Sequence, residues 1–223
     1  ISLLMERPPG RECYPGDVFY LHSQLMERAA QLSPELGGGS MTFFPIVDTL
    51  EGDVTGFIPS NLISMTDGQI YTNTTLFNSG FRPAVDLGLS VSRIGSKVQG
   101  PLMRKLSSML RLEYVQYAEL LKKTRVTAGV SDDLRERLRP GEILGNLFTQ
   151  DAHSPYSTEQ ELVLLYSMRN QVLDECEEPE LERFKNDFFA FLKQEDPELV
   201  EAFSRQQLDT DADSRFRALV DRF

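Results

Sequence analysis

The sequence has no apolar run approaching the roughly 20 residues that cross a bilayer as a helix, so direct membrane insertion is not expected of it. A secretory signal is not expected either, because Ile1-Ser2-Leu3-Leu4-Met5 carries no basic segment and reaches Glu6-Arg7-Pro8-Pro9 at once. Cysteine is scarce: Cys13 and Cys176 lie far apart with no CxxC spacing, which argues against a disulfide framework or a zinc site and for a reducing, intracellular setting. The two histidines, His22 and His153, are too few and too separated for a metal cluster, and no metal site is expected. Positive charge is outweighed, with 23 Lys and Arg against 34 Asp and Glu and a net charge of −11, so a nucleic-acid partner is not expected. No GxxxxGK[ST] occurs, so Gly37-Gly38-Gly39 is not a phosphate cradle.

What is present is the composition of an ordinary globular protein, 40% hydrophobic and 26% charged over 223 residues, enough for one good core or two modest domains. A start at Ile1 inside an apolar patch reads as a fragment of something longer. Pro8 to Asp17 is dense in turn formers and reads as a connector. Asp17 is expected to cap a helix through Val18, Leu21, Leu25, Ala29 and Leu32, ended by the three glycines. Strands are predicted at Met41 to Val47, around Phe57-Ile58, at Leu62 to Met65, Gln69 to Thr72 and Leu87 to Val91, with turn signals between them. Strands at this spacing after a helix read as the closing half of an α/β sheet.

After Gly100-Pro101 the period becomes helical. Leu102, Leu106, Met109, Leu110, Tyr117, Leu120 and Leu121 predict one long helix, and Asp132 or Asp133 opens another ending near Arg139-Pro140-Gly141. Ser157 with Gln160 has capping-box spacing ahead of Leu162, Leu165, Tyr166 and Met168. Pro179 begins a helix striped by Leu181, Phe184, Phe188, Phe191 and Leu192, read as core. Asp196-Pro197 is an N-cap with Pro in the first turn, leading to Leu199, Val200 and Phe203, and the last helix carries Phe216, Leu219, Val220 and Phe223. Asp209, Asp211 and Asp213 do not form a calcium loop, because Ser214 and Val220 stand where such a loop needs Gly and Glu. They are expected to cap the final helix.

Arg93 stands where the strand pattern gives way to the helical one, in Ser90-Val91-Ser92-Arg93-Ile94-Gly95. A guanidinium there keeps its charge and suits phosphate or carboxylate. Taken alone it is more often a surface ion pair.

Four stretches change that balance. Pro8-Pro9-Gly10-Arg11-Glu12 with Tyr14-Pro15-Gly16-Asp17-Val18-Phe19-Tyr20-Leu21-His22-Ser23, then Ile63-Ser64-Met65-Thr66-Asp67-Gly68-Gln69-Ile70, then Phe81-Arg82-Pro83-Ala84-Val85, and finally the Arg93 stretch, together resemble the α subunit of the rotary F-type ATP synthases in order and spacing. The resemblance implies an α+β fragment: residues 1–97 as the closing part of a RecA-like α/β nucleotide-binding domain, and 98–223 as an all-α helical bundle, the carboxyl-terminal domain. It implies that Arg93 enters the catalytic site of a neighbouring β subunit, with Ser64 as interface support and Ile63 and Val91 as interface neighbours. It also implies that Phe77, Arg82, Pro83 and Gln150 contribute to a nucleotide's adenine pocket. Ala152 and His153 depart from the family there, and Lys122 to Val126, Pro140 and Ile143 depart from it in the helical part, as in a divergent or alternative-type member.

The implied cofactor is ATP or ADP with Mg2+ in the full-length subunit, with no tight binding expected of the fragment, which is also expected to be inactive alone. The implied partners are β subunits in an alternating ring, a central-stalk rotor subunit and a peripheral stalk, at the cytoplasmic face of a bacterial inner membrane or its organellar equivalent. The competing expectation is a non-catalytic acidic helical interaction module with Arg93 only structural.

Overall fold

The computed structural model describes residues 4, 6, 10, 12, 14–108, 110–124 and 132–223, apart from the side chains of 51, 122–124 and 132–136. Pro8, Pro9, Cys13, Met109, the side chains of Lys122, Lys123, Thr124, Asp132 and Asp133, and Arg125 with Val126 therefore lie outside the described residues. The chain divides into two compact units, residues 1–69 and 70–223.

In the first unit the helices are α1, Val18–Met26, and α2, Phe57–Met65. They pack on each other, and the Ser23 hydroxyl donates to the Met65 sulfur at 3.0 Å. α1 is shorter than its apolar period predicts, and the Asp17 side chain does not cap it. The chain beyond it is drawn into a hairpin: Met41 N–H donates to Ala30 C=O and Leu32 N–H to Gly39 C=O, both at 2.9 Å. Gly37, Gly38 and Gly39 turn that hairpin, with φ of 95°, 64° and 104°, a region closed to most side chains. They therefore act as a reversal and not as a helix stop.

The strands expected at Met41 to Val47, Phe57-Ile58 and Leu62 to Met65 are not formed. Residues 41–47 are irregular, and Ile46 is 97% exposed, because a strand needs a ladder neighbour and Pro45 cannot donate to one. The other two merge into α2. Apolar runs this short fit either period, and Pro59 is tolerated in a first helical turn. Two short strands remain, β1, Gly68–Gln69, in the first unit and β2, Val91–Ser92, in the second.

The second unit holds the helices α3, Thr74–Asn78, α4, Pro101–Ser107, α5, Leu110–Thr124, α6, Asp132–Phe148, α7, Thr158–Arg169, α8, Glu178–Glu195, α9, Pro197–Ser204, and α10, Ala212–Val220. The single helix predicted over 102–121 is two, α4 and α5. The hydroxyls of Ser107 and Ser108 bond to Gln99 Oε1 and to Lys105 C=O, competing locally with the helical ladder. α6 runs past its predicted end and takes Pro140 inside it, since Leu138, Ile143, Leu144 and Leu147 are buried along that stretch. At Gly141 the Tyr117 ring of α5 occupies the space a Cβ would fill, so this crossing requires glycine.

The later helices follow the sequence closely. Ser157 and Gln160 form the capping box of α7, and Asp196 Oδ1 accepts from Leu199 N–H at 3.0 Å to cap α9. At α10 the Asp211 side chain makes no capping bond to the backbone, and accepts instead from the Ser214 hydroxyl at 2.7 Å. Leu162, Leu181, Phe184, Phe188, Leu192, Leu199, Phe203, Phe216 and Leu219 form one continuous core with Leu102 and Leu106. Its centre is aromatic: Tyr166 meets Phe203 and Phe216 edge to face at 5.3 and 5.0 Å, in the geometry the ring quadrupoles favour. Among the described residues no helix is long and apolar enough to cross a membrane.

Candidate functional site

The loop between Asn73 and Ala84 is built to present two side chains. Asn73 Oδ1 accepts from Thr75 N–H at 2.8 Å and starts α3, which carries Phe77 in its last turn and ends at Asn78. Gly80, at φ 89°, reverses the chain, and Phe81 N–H donates back to Leu76 C=O at 3.1 Å. The ends are tied by Asn73 N–H to Ala84 C=O at 2.9 Å, and the Phe81 ring packs on Tyr114 of α5 with centroids 5.9 Å apart. Burial, followed by the nearby Asp86 charge, raises the Tyr114 hydroxyl above its ordinary pKa, so it stays neutral in this packing.

The reversal carries Arg82 across Phe77. Its guanidinium carbon lies 4.6 Å from the Phe77 ring centroid, a cation–π contact, while the ring stays 52% exposed. Arg82 C=O accepts from Gln150 N–H at 2.7 Å, which fixes the start of the loop after α6 against the same turn. Phe77, Arg82, Pro83 and Gln150, far apart in sequence, are thus gathered. An exposed aromatic residue beside a guanidinium suits a planar heterocycle such as a purine, on which the ring can stack; Gln150 is tied to this turn by its main chain alone. Ala152 and His153 are exposed on the loop that follows.

A cavity of about 310 Å3 includes Gln150 in its wall, with Thr149, Asp151, Tyr156, Gln160 and Lys185. Phe77, Arg82 and Pro83 do not line it, so it is distinct from the Phe77–Arg82 contact. Lys185 in that wall is paired with Glu182 at 3.0 Å. No group of three or more His, Cys, Asp or Glu able to hold a metal occurs among the described residues.

Arg93 stands on a different segment of the same unit. It follows β2, is exposed, and precedes a turn in which Gly95, at φ 61°, donates its N–H to the Ser92 hydroxyl at 3.1 Å. Val91 is 42% exposed. The approach to β2 is shaped by Asp86, whose Oδ1 accepts from Gly88 N–H and Leu89 N–H at 2.9 and 3.1 Å. Asp86-Leu87-Gly88 carries the sequence signal of such an Asx turn, at the start of the stretch where the period predicts a strand. Ile63 and Ser64 belong to the first unit, on α2 and not on a strand. Ser64 is exposed and its hydroxyl donates to Asn61 C=O at 2.7 Å, while Ile63 is half-buried.

The chain was compared with known proteins. Residues 1–92 match the ATP synthase alpha/beta family, nucleotide-binding domain, and residues 99–223 match the ATP synthase alpha/beta chain, C terminal domain. A relative from Aquifex aeolicus (strain VF5), "ATP synthase subunit alpha", is 41% identical over 224 aligned residues, which cover 100% of this chain and 44% of the relative. The chain therefore spans less than half the length of that protein. An α+β fragment, with nucleotide-binding-domain sequence followed by a helical carboxyl-terminal domain, agrees with the mainly helical structure and its two short strands. On both matches and on this identity across its whole length, the chain belongs to the ATP synthase alpha/beta family.

Proposed function

We propose that this chain is the carboxyl-terminal part of an α-type subunit of a rotary ATP synthase, serving ATP synthesis and hydrolysis coupled to ion transport without itself holding the catalytic phosphates. The observation that supports the reading is the turn at Arg82, whose guanidinium lies over the exposed Phe77 and whose C=O accepts from Gln150 N–H, so that an exposed ring of the kind a nucleotide base stacks on stands beside the loop that carries Gln150. Pro83 follows Arg82 in the same turn and is read with it. The chain contains no GxxxxGK[ST], so the phosphates and Mg2+ of ATP or ADP would be held by other parts of the full-length subunit.

In this reading Arg93 serves a neighbouring β subunit. Phosphoryl transfer spreads negative charge over the transferring group, and an arginine supplied in trans stabilises it, an effect of about 10³ to 10⁵ in rate in other nucleotidases. Ser64, as support, and Ile63 and Val91, as neighbours, are assigned to the interface with that subunit. The domain boundary is placed near residue 97, in keeping with family matches that end at 92 and resume at 99. The subunit would sit peripherally on an energy-coupling membrane, in a ring alternating with β subunits, around a rotor and against a peripheral stalk.

The decisive test is Arg93→Ala in the full-length subunit within the assembled complex. Steady-state ATP hydrolysis is expected to fall by about 10³ or more with assembly intact, and wild-type turnover would contradict the assignment. Calorimetric titration of this 223-residue chain with Mg-ATP is expected to show no tight binding, and tight, Mg-dependent binding would contradict the claim that the phosphate site lies elsewhere.

A further inference from the structure

Two arginines of the helical part grip the backbone on either side of Arg93. From α5, Arg111 Nη2 donates to Gly88 C=O at 3.0 Å. From α4, Arg104 Nε donates to Ser96 C=O at 3.0 Å and its Nη2 to Gln99 C=O at 3.2 Å. Arg93 and β2 lie between the gripped points.

Within the gripped segment the chain is braced again. Asp86 closes the turn at Gly88 and Leu89, the Ser90 hydroxyl accepts from Tyr71 N–H at 3.0 Å, and the Ser92 hydroxyl accepts from Gly95 N–H. A guanidinium donating to a carbonyl makes a stronger bond than a neutral donor. The fork of Arg104 also fixes direction, because its two donors reach two carbonyls at once.

These arginines are not what packs their helices. α4 is held to the core by Leu102 and Leu106, and α5 carries the buried Tyr114, while Arg104 and Arg111 are both exposed. Their guanidinium groups are instead spent on backbone carbonyls of the 88–99 segment. A flexible surface arginine loses side-chain freedom when ordered this way, and what it returns is a fixed position for the chain it holds.

We propose that Arg104 and Arg111 are positioning residues for Arg93, fixing the 88–99 segment to α4 and α5 so that the helical part sets where the Arg93 guanidinium is aimed. This rests on the reading of Arg93 as an arginine given to a neighbouring catalytic site. Neither arginine touches the reacting atoms. Each acts on the geometry of a group that does, and a misplacement of about 1 Å can cost a catalytic group about a hundredfold.

The experiment uses the full-length subunit assembled with its partner subunits, and measures kcat and KM for ATP hydrolysis. Arg104→Ala, Arg111→Ala and Arg111→Lys are made in the wild-type and in the Arg93→Ala background. Each alanine variant is expected to lower kcat about tenfold, inside the range that misplacement allows, with KM unchanged. Arg111→Lys is expected to restore most of the loss, since an ammonium can still give the single bond to Gly88 C=O. In the Arg93→Ala background neither alanine substitution should lower kcat further, because the group being aimed is gone.

An equal fractional loss in both backgrounds would overturn the proposal, as would unchanged kcat in the wild-type background or failure of the lysine to rescue. If Arg93→Ala itself keeps full turnover, the underlying reading of Arg93 has failed and the proposal falls with it. If Arg93→Ala is inactive while Arg111→Ala is normal, only the positioning role has failed. Should Arg111→Ala not assemble, Arg111→Met keeps the apolar stem without the donor and carries the same comparison.

Discussion

Ile46 and Phe188 are both large apolar residues of one chain, yet the first is 97% exposed and the second 1%. The contrast extends to their regions. From Tyr14 to Val98 exposed Phe, Tyr, Leu, Ile, Met and Val recur, including Phe44, Leu50 and Val98, whereas every described residue of these types after Leu112 is buried or half-buried. The helical part covers its own apolar stripes, because each helix meets another drawn from the same stretch of sequence. The earlier region carries stripes of similar quality that its described neighbours do not cover. Apolar pattern therefore marks what a segment can bury, while the presence of a partner decides whether it does.

The largest test of that difference is mutational. Phe188→Ala should destabilise the chain by about 3–5 kcal/mol in denaturant unfolding, while Ile46→Ala should change it by less than about 0.5 kcal/mol. Similar losses for the two would break the comparison. A smaller effect sharpens it at a helix end: Asp196 both caps α9 and receives the Arg215 fork, at 2.9 Å from Nε and 2.6 Å from Nη2. Asp196→Ala is expected to cost about 1 kcal/mol from the cap alone, read as a shift of the denaturant midpoint, and an unchanged midpoint would remove the cap from the account.

The smallest effect is one of pH. Burial first, and then the hydrogen bond to the Asp213 carboxylate, push the Tyr166 hydroxyl up to about 12 from 10.0. A group raised in the folded state stabilises it fully below the unfolded value, so this contribution is present below pH 10 and is lost as pH climbs towards 12. Unfolding midpoints followed from pH 9 to 12 should fall less steeply in Tyr166→Phe than in the wild type. An identical fall would assign the alkaline loss to other groups.

How far the sequence could be read follows the same division. The capping box at Ser157 and Gln160, the Asp196-Pro197 cap and the Leu181 to Leu192 stripe are present as expected, because they depend on residues within a few turns of each other. Pro140 misleads as a stop, since buried Ile143, Leu144 and Leu147 carry α6 through it. Strands near Met41 and Leu62 mislead for the converse reason, as alternation in a short run cannot supply the neighbouring strand it presumes. At the site, family resemblance picks out Phe77, Arg82, Pro83 and Gln150, and spacing shows neither the Arg82 contact with Phe77 nor the main-chain bond from Gln150 to Arg82. The arginines at 104 and 111 were passed over altogether, because a side chain gripping distant backbone leaves no periodic trace.

The bond from Gln150 N–H to Arg82 C=O bears on how this surface can drift over generations. It is made by main chain at both ends, so it holds the loop whatever side chain stands at position 150, proline excepted, which has no amide hydrogen to give. Anchorage and side-chain identity are thereby inherited separately. A lineage can exchange side chains along the loop one residue at a time while the loop stays in its place, which gives substitutions such as Ala152 and His153 a stable frame in which to be tried.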